Sequence, residues 1–493
     1  MLIYVKFESR GKKMAGFPEG HILPTIRIKK IVLDNFKGAG HGEVIFNCGR
    51  KFIKEGTEPD ILGIYGQNGS GKTSVIQALR ILKLAMMGLP IKGDYQDCIA
   101  NGAKFAKLEY TFDLQYQKQC SDVREVVYSF KIDTISAPAA PDDEDGKKDK
   151  KLIKRIRIFD EDIHISGDFG GEKGRNSQPM INTFNSDYPI GPKSKLEAFV
   201  GKEKESCIID LMVLKRLASE RSQSFIFMTD TLQIFSGKSG GSELFHVLLE
   251  LKYYAGNYLY VVDSRYYTEE IMPLFTRDGI MPIKLNGSTR LPPSDENLLR
   301  RTVNHMNCVL PEIIPGLKLC LHRAGATEDA NGDPINLVRI MTKRPDSEEQ
   351  LPLRCESLGI IRLVSVLSLI IDAINDKSIT VAIDELDAGI YEYLLGNILS
   401  IMEEHGLGQL VFTSHNLRPL EVLDKKYIMF TTANKNNRYI RLKGVGHTNN
   451  LRSLYLREIT EHEQDEILCE SSPREDLICA FKSAGNGYET EYI

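Results

Sequence analysis

The chain has 493 residues, 42% of them hydrophobic and 26% charged, with a formal net charge of −4. That is material for two or three domain-sized units or one elaborated domain, and it excludes a basic nucleic-acid coat protein, so any contact with DNA has to come from a local patch. Nine cysteines with no CxxC pair exclude a disulfide framework or zinc ribbon and point to reduced thiols in a cytoplasmic protein; the longest apolar run, Leu363 to Ile374, is the size of a core helix, so no membrane partner is expected.

Residues 1–24 read as an appended tail, with an apolar stretch too short for a signal peptide. From Ile26, IRIKKIVLDNFKG alternates like a strand, and GEVIF (42–46) is its expected partner. ILGIY (61–65) reads as a short buried strand, followed by a glycine-rich turn and a helix over SVIQALRILKLAMM. In KLEYTFDLQY, Leu108, Tyr110, Phe112, Leu114 and Tyr116 fall on one face at period two, as do Val126, Tyr128, Phe130 and Ile132 further on. Such alternation predicts an antiparallel meander with one wet face. Residues 25–135 are thus expected to form the N-terminal part of one unit with a β-lobe. Residues 136–155 read as a flexible, low-complexity loop, and 156–194 as a return to the same lobe. A mainly helical insertion without sustained heptads is expected over 195–315. Over 316–445, a hairpin around DANGDP is followed by helix, strand, helix and strand, which suggests a parallel sheet. Residues 446–493 form a C-terminal segment.

Three stretches carry chemistry. Gly66-Gln67-Asn68-Gly69-Ser70-Gly71-Lys72-Thr73 fits G-x-x-x-x-G-K-[ST], with Ser74 continuing into the helix. Glycines let the backbone curl so that successive N–H groups converge on phosphate oxygens, and the helix that follows points its positive end at the same anion. Lys72 is placed to reach the β and γ phosphates, and the Thr73 hydroxyl can ligate Mg²⁺. Second, VAIDELDAGI (381–390) ends an apolar strand in carboxylates. Asp384 at the tip of a neighbouring strand is the expected second Mg²⁺ ligand, Glu385 the group that orients or deprotonates the attacking water, and Asp387 part of a turn. Third, Ser357 and Gly359 open the apolar helix, where a hydroxyl, backbone N–H groups and the helix dipole can bind phosphate together. A separate apolar strand, LVFTSH, ends at His415.

Taken in order, the phosphate loop, Ser-x-Gly helix, Asp-Glu strand, Asp turn and histidine resemble the ABC-type ATPase head. The opening IVLDNFKG is similar to the L-x-N-F-basic start of SMC- and RecF-type heads. The resemblance covers residues 26–80 and 350–435, and implies an α/β fold: a P-loop ABC-type ATPase head with an antiparallel β-lobe and a mainly helical insertion. It further implies ATP and Mg²⁺ as cofactors, held between two copies of the chain. Residues Gln67 to Ser74 with Lys72, Thr73, Asp384 and Glu385 would act from one copy, with Ser357 and Gly359 coming from the other. Asp387 would form the D-loop that approaches the second subunit, and His415 would sense the γ-phosphate. The signature departs from the Leu-Ser-Gly-Gly of transporters. Gln96, Gln115 and Gln117 are alternative glutamine-loop residues.

Glu356-Ser357-x-Gly359, DELDAG and TSHN together resemble the stand-alone ABC-type ATPases of bacterial anti-phage systems, and DELDAGIYEYLLG and the overall length are most similar to the ATPase subunits of the PARIS type. That resemblance implies a sensor that forms a homo-oligomer, a head-to-head dimer at least and up to a hexamer. It would hold a separate TOPRIM-type nuclease effector until a phage-encoded trigger releases it. The related OLD-type proteins fuse the nuclease to the head, for which the segment after His415 leaves little room. The alternative is a RecF-like DNA-repair ATPase gripping duplex through Lys147, Lys148, Lys150, Lys151, Lys154, Arg155 and Arg157, although Asp142, Asp143, Glu144 and Asp145 nearly neutralise that loop. A small-molecule kinase, the third class, gives no reason for a Ser-x-Gly helix.

Overall fold

A computed structural model describes residues 21, 23–46, 59–91, 93–116, 123–138, 152–169, 172–174, 179–200, 204–239, 243–263, 268, 270–276, 279–442, 450–461, 466–468 and 474–489. Nearly all of the N-terminal tail, Lys147 to Lys151 with the acidic run before them, and Gln117 lie outside the described residues.

Six strands form the central sheet, in the order Tyr439–Ile440, Ile428–Thr431, Asp60–Tyr65, Gln409–Thr413, Thr380–Ile383 and Leu259–Val262. All pair in parallel except the first with its neighbour. Successive side chains leave opposite faces, and both faces are covered, which is why these strands read as unbroken apolar runs. Leu62, Ile64, Ala382, Val411 and Met429 join one core, with helix Lys72–Met87 and the antiparallel sheet. Ile61, Tyr65, Val381, Ile383, Leu410, Phe412 and Phe430 join the other, with helices Leu358–Asn375 and Glu392–His405.

The antiparallel sheet runs Ala39–Ile45, Thr25–Phe36, Ala106–Gln115, Val123–Pro138, Leu152–Phe169, with two short strands beyond. Leu108, Tyr110, Phe112, Leu114, Val126, Tyr128, Phe130 and Ile132 are all fully buried, the face that the alternation predicts, while Tyr116 is only half-buried. Loop 136–155 is shorter than the composition suggests. The hairpin ladder continues to Pro138 and Leu152, so Ser136 pairs with Lys154 and Ile135 with Arg155. Arg157 lies in the same strand, its Nε 2.9 Å from Asp133 Oδ1.

Within residues 195–315 the helices follow one another without an intervening strand only as far as Asn257. Leu259–Val262 then enters the central sheet as its edge strand, and Ile271–Thr276 pairs with Gly279–Lys284 as a hairpin before helix Pro293–Met306. A four-residue apolar run such as LYVV carries no periodicity, so helix and strand look alike there. Beyond it, Lys318–Glu328 and Pro334–Lys343 form the hairpin expected around DANGDP, within a second antiparallel sheet.

Helix Leu358–Asn375 is the hinge between two cores. Leu363, Val366, Leu369 and Ile370 pack toward the central sheet, and Ile361, Val364, Leu367 and Ile371 toward the second antiparallel sheet. By length and composition it could cross a membrane, but 72% of it is buried inside the protein, as a core helix should be. Of the C-terminal segment, helix Leu451–Glu461 belongs to the body: Leu451, Leu454 and Tyr455 are buried, and Tyr455 stacks on Phe430 at 5.0 Å.

At the N-terminal ends of the parallel strands the two large sheets are tied by a buried polar cluster. The Gln409 side chain donates to Ile28 O (2.8 Å) and Asp60 Oδ2 (2.6 Å), and accepts from Ile28 N–H (3.2 Å) and the Thr380 hydroxyl (3.1 Å). Tyr254 donates to the same Thr380 oxygen (2.7 Å), and Arg27 donates to Ile379 O (3.0 Å).

Candidate nucleotide site

Parallel strands that start in register also end in register. Ile383 pairs with Phe412 and Thr413 with Ile64, so the residues after Ile64, Ile383 and Phe412 meet at one edge of the sheet. Open α/β sheets bind ligands at this edge. One expectation is corrected here: the Asp384 strand is not next to the phosphate-loop strand. Gln409–Thr413 lies between them, and its terminal hydroxyl fills the gap. Thr413 Oγ1 donates to Asp384 Oδ1 (2.7 Å) and accepts from Glu385 N–H (2.7 Å). Thr73 Oγ1 approaches the same Asp384 oxygen from the far side, at 3.2 Å.

The phosphate loop is held open from below. Gly66 has a left-handed φ of 150°, and a Cβ there would lie 1.7 Å from Thr431 Oγ1. That hydroxyl contacts Ser70 Oγ (2.5 Å) and Tyr65 O (3.2 Å), and the Tyr439 hydroxyl donates to Gly71 O (2.8 Å). Gln67, Asn68 and Gly69 are exposed, while Lys72 and Ser74 are buried. The Lys72 ammonium donates to Gly66 O (2.8 Å) and Gln67 O (3.0 Å). Burial lowers its pKa, outweighing the opposing pull of Asp384, Glu385 and Asp387. A cation that donates to carbonyls of its own loop can exchange them for phosphate oxygens, whose charge would add to that of the nearby carboxylates.

The residues present fit a magnesium ion. Two adjacent ligands of an octahedral ion at about 2.0–2.1 Å stand about 2.9 Å apart. Thr73 Oγ1 and Asp384 Oδ1 are already 3.2 Å apart. Among the described residues no cluster of three or more His, Cys, Asp or Glu gathers.

Glu385 follows Asp384 with a left-handed φ of 50°. A non-glycine residue in that region costs about 1–2 kcal/mol and persists only where neighbours enforce it. Thr413 holds its N–H, and Arg362 donates to both the Asp384 and Glu385 carbonyls at 2.8 Å. Asp387 turns inward: its Oδ2 accepts from the N–H groups of His415 (3.0 Å) and Asn416 (2.9 Å), so it fixes the loop that carries the exposed His415. Its other oxygen is buried with no donor among the described residues.

Ser357 caps helix Leu358–Asn375, its exposed hydroxyl accepting from Ile360 N–H at 3.3 Å. Gly359 is required by packing, because a Cβ there would lie 1.7 Å from Gly389 O. The Ser-x-Gly segment therefore leans on its own chain's Asp turn, with its capping serine facing outward beside exposed Leu358 and Tyr391. Gln115 ends a strand of the antiparallel sheet, paired with Thr25 and Val123.

Three contributors were not picked out from the sequence: Thr413, Arg362 and the Thr431–Tyr439 support of the loop. Arg362 left a trace, as the lone cation of an otherwise apolar helix. Thr413 stood unremarked inside TSH.

No family model matches the chain, and no curated protein matches its sequence. Among solved structures, it is similar to an SMC head bound to the C-winged helix domain of ScpA, with 13% identity over 84% of this chain and 98% of that one and a TM-score of 0.41. The SMC head domain from Thermotoga maritima follows at 13% identity over 85% and 99%, TM-score 0.35. The recombination mediator RecF with ATP gives 14% over 81% and 94%, TM-score 0.33. Over the whole chain these superpositions are loose, and the class is set by the chain's own topology. A glycine-rich-loop strand inside a parallel sheet, an antiparallel lobe on one face and a Ser-x-Gly helix rooted in a second lobe make an α/β fold laid out as a P-loop ABC-type head.

Proposed function

We propose that this chain binds and hydrolyses ATP with Mg²⁺, and that the nucleotide fastens two copies across composite sites. One copy contributes Gln67 to Ser74, Thr73 and Asp384 for the metal, Glu385 as the base toward water and His415 toward the γ-phosphate. The other contributes Ser357 and Gly359. The metal would neutralise phosphate charge; Lys72 and the loop N–H groups orient the triphosphate, and Glu385, held by its backbone, takes the proton from water. The observation that carries this reading is the convergence of Thr73 and Thr413 on Asp384 Oδ1 at the mouth of the phosphate loop, with the Glu385 N–H held by the same Thr413 hydroxyl. An outward-facing Ser357 cap supports the composite site. To swing such a switch from mostly open to mostly closed, ATP must favour the closed form by about 5 kcal/mol, which contacts to a buried triphosphate can supply.

In the cell, by its resemblance to stand-alone anti-phage ATPases, the assembly serves as sensor and scaffold for a separate nuclease subunit released by a phage-encoded trigger. The nuclease is assigned to a separate subunit because, among the described residues, no group of three or more His, Cys, Asp or Glu gathers as a nuclease metal centre would require. Light scattering with magnesium–ATP tests the first level: Lys72→Ala should stay monomeric, and Glu385→Gln should accumulate as the assembled form. The neighbouring reading frames test the second: a nuclease-like product encoded beside this gene that co-purifies with the chain is the expected result, and its absence would remove the scaffold role. Salt-dependent duplex binding by the chain alone would favour the RecF-like reading instead.

A further inference from the structure

We infer that Arg362 is a positioning residue that couples the two composite sites, linking the Ser-x-Gly helix that serves the partner's nucleotide to the Glu385 that serves its own. The inference rests on the composite site proposed above. Arg362 lies five residues after Ser357, on the helix whose N-terminus would meet the other copy's triphosphate. One guanidinium nitrogen, Nη2, donates to the carbonyls of Asp384 and Glu385 at 2.8 Å each. With Thr413 on the Glu385 N–H, both peptide groups flanking the base are held, and that base has the left-handed backbone that needs holding.

A second contact lies beside the first. Gly359 and Gly389 touch backbone to backbone, with no room for a methyl group on Gly359. Residues 384–389 are therefore gripped at both ends by the first turn and a half of one helix. From that segment Asp387 reaches on to the His415 loop. A helix moves as a rigid rod, so a shift of its N-terminus toward a partner's phosphate has to reappear at the Asp384–Glu385 peptides. Filling one site thus adjusts the base of the other.

The test uses the full chain, with hydrolysis titrated against ATP and assembly followed in parallel, for the wild type, Arg362→Ala and Arg362→Lys. The alanine variant should bind a fluorescent ATP analogue and assemble as the wild type does, while its turnover falls by about tenfold to a hundredfold, the cost of a misplaced catalytic group. Its Hill coefficient should drop from above one to one. Lysine, which keeps the charge and can reach one carbonyl, should recover part of the turnover. Wild-type turnover and Hill coefficient in Arg362→Ala would overturn the coupling and leave the ATPase reading standing. Loss of nucleotide binding together with a lowered melting temperature in both variants would make the arginine a folding element and overturn it too. A wild-type chain that neither assembles nor hydrolyses ATP would instead remove the composite site on which the coupling depends.

Discussion

The two ends of the central sheet make opposite use of buried polar groups. At the N-terminal ends, Gln409 satisfies a main-chain N–H, a main-chain carbonyl, a carboxylate and a hydroxyl at once, all in ordinary geometry and beneath fully buried strands. At the C-terminal ends, Glu385 sits in a left-handed conformation, Lys72 leans on carbonyls of its own loop, and one oxygen of Asp387 is buried without a donor among the described residues. The lower end spends its polarity on joining two sheets. The upper end gathers its polar groups around the mouth of the glycine-rich loop. A rigid lower seam is what allows the upper edge to carry strain without unravelling.

That contrast can be broken from either end. The largest effect is expected above: Glu385→Gln should lower turnover by about a hundredfold or more while nucleotide binding is kept, since it removes a base and leaves the phosphate cradle untouched. Rapid-quench hydrolysis beside equilibrium binding measures both, and equal loss of each would assign Glu385 to binding instead. Below, Gln409→Leu should cost about 2–4 kcal/mol in urea unfolding, because several buried partners lose their hydrogen bonds together. Turnover per folded molecule should not change; if it does, the seam and the edge are not separate devices.

The smallest effect concerns Lys252, on the helix Glu243–Asn257, whose ammonium donates to Phe227 O (2.8 Å). Burial brings its pKa down to about 8 from 10.5. The unfolded chain therefore holds more protons between those two values, so this group makes stability rise with pH across that window, its cost being fully present below about 8. Lys252→Met should flatten the slope of the unfolding midpoint between pH 8 and 10, by on the order of 1 kcal/mol after allowing for partial exposure. An unchanged slope would place the titrating group elsewhere.

What could be read from the sequence was local. The phosphate loop, the Asp-Glu tip and the alternating face of the meander are each written in consecutive residues, with spacing imposed by one strand or one turn of helix. What stayed hidden depends on partners far along the chain. That Gln409–Thr413 lies between the Asp384 and phosphate-loop strands follows from the order of strands, which spacing does not encode. Gly359 reads as a phosphate ligand, yet its immediate necessity is the Gly389 carbonyl thirty residues on. Lys154 and Arg155 read as a mobile basic loop because their composition matches one, and their ladder partners across the hairpin decide otherwise.

Helix Leu358–Asn375 is wrapped by apolar side chains of two separate cores. So sheathed a rod has no inexpensive way to slip along its axis or roll, and anything tugging at its tip has to carry a whole lobe. Rearrangements of that size belong to the microsecond-to-millisecond regime rather than to the rattling of loops. Any change of pose at that tip would accordingly be discrete and long-lived rather than gradual.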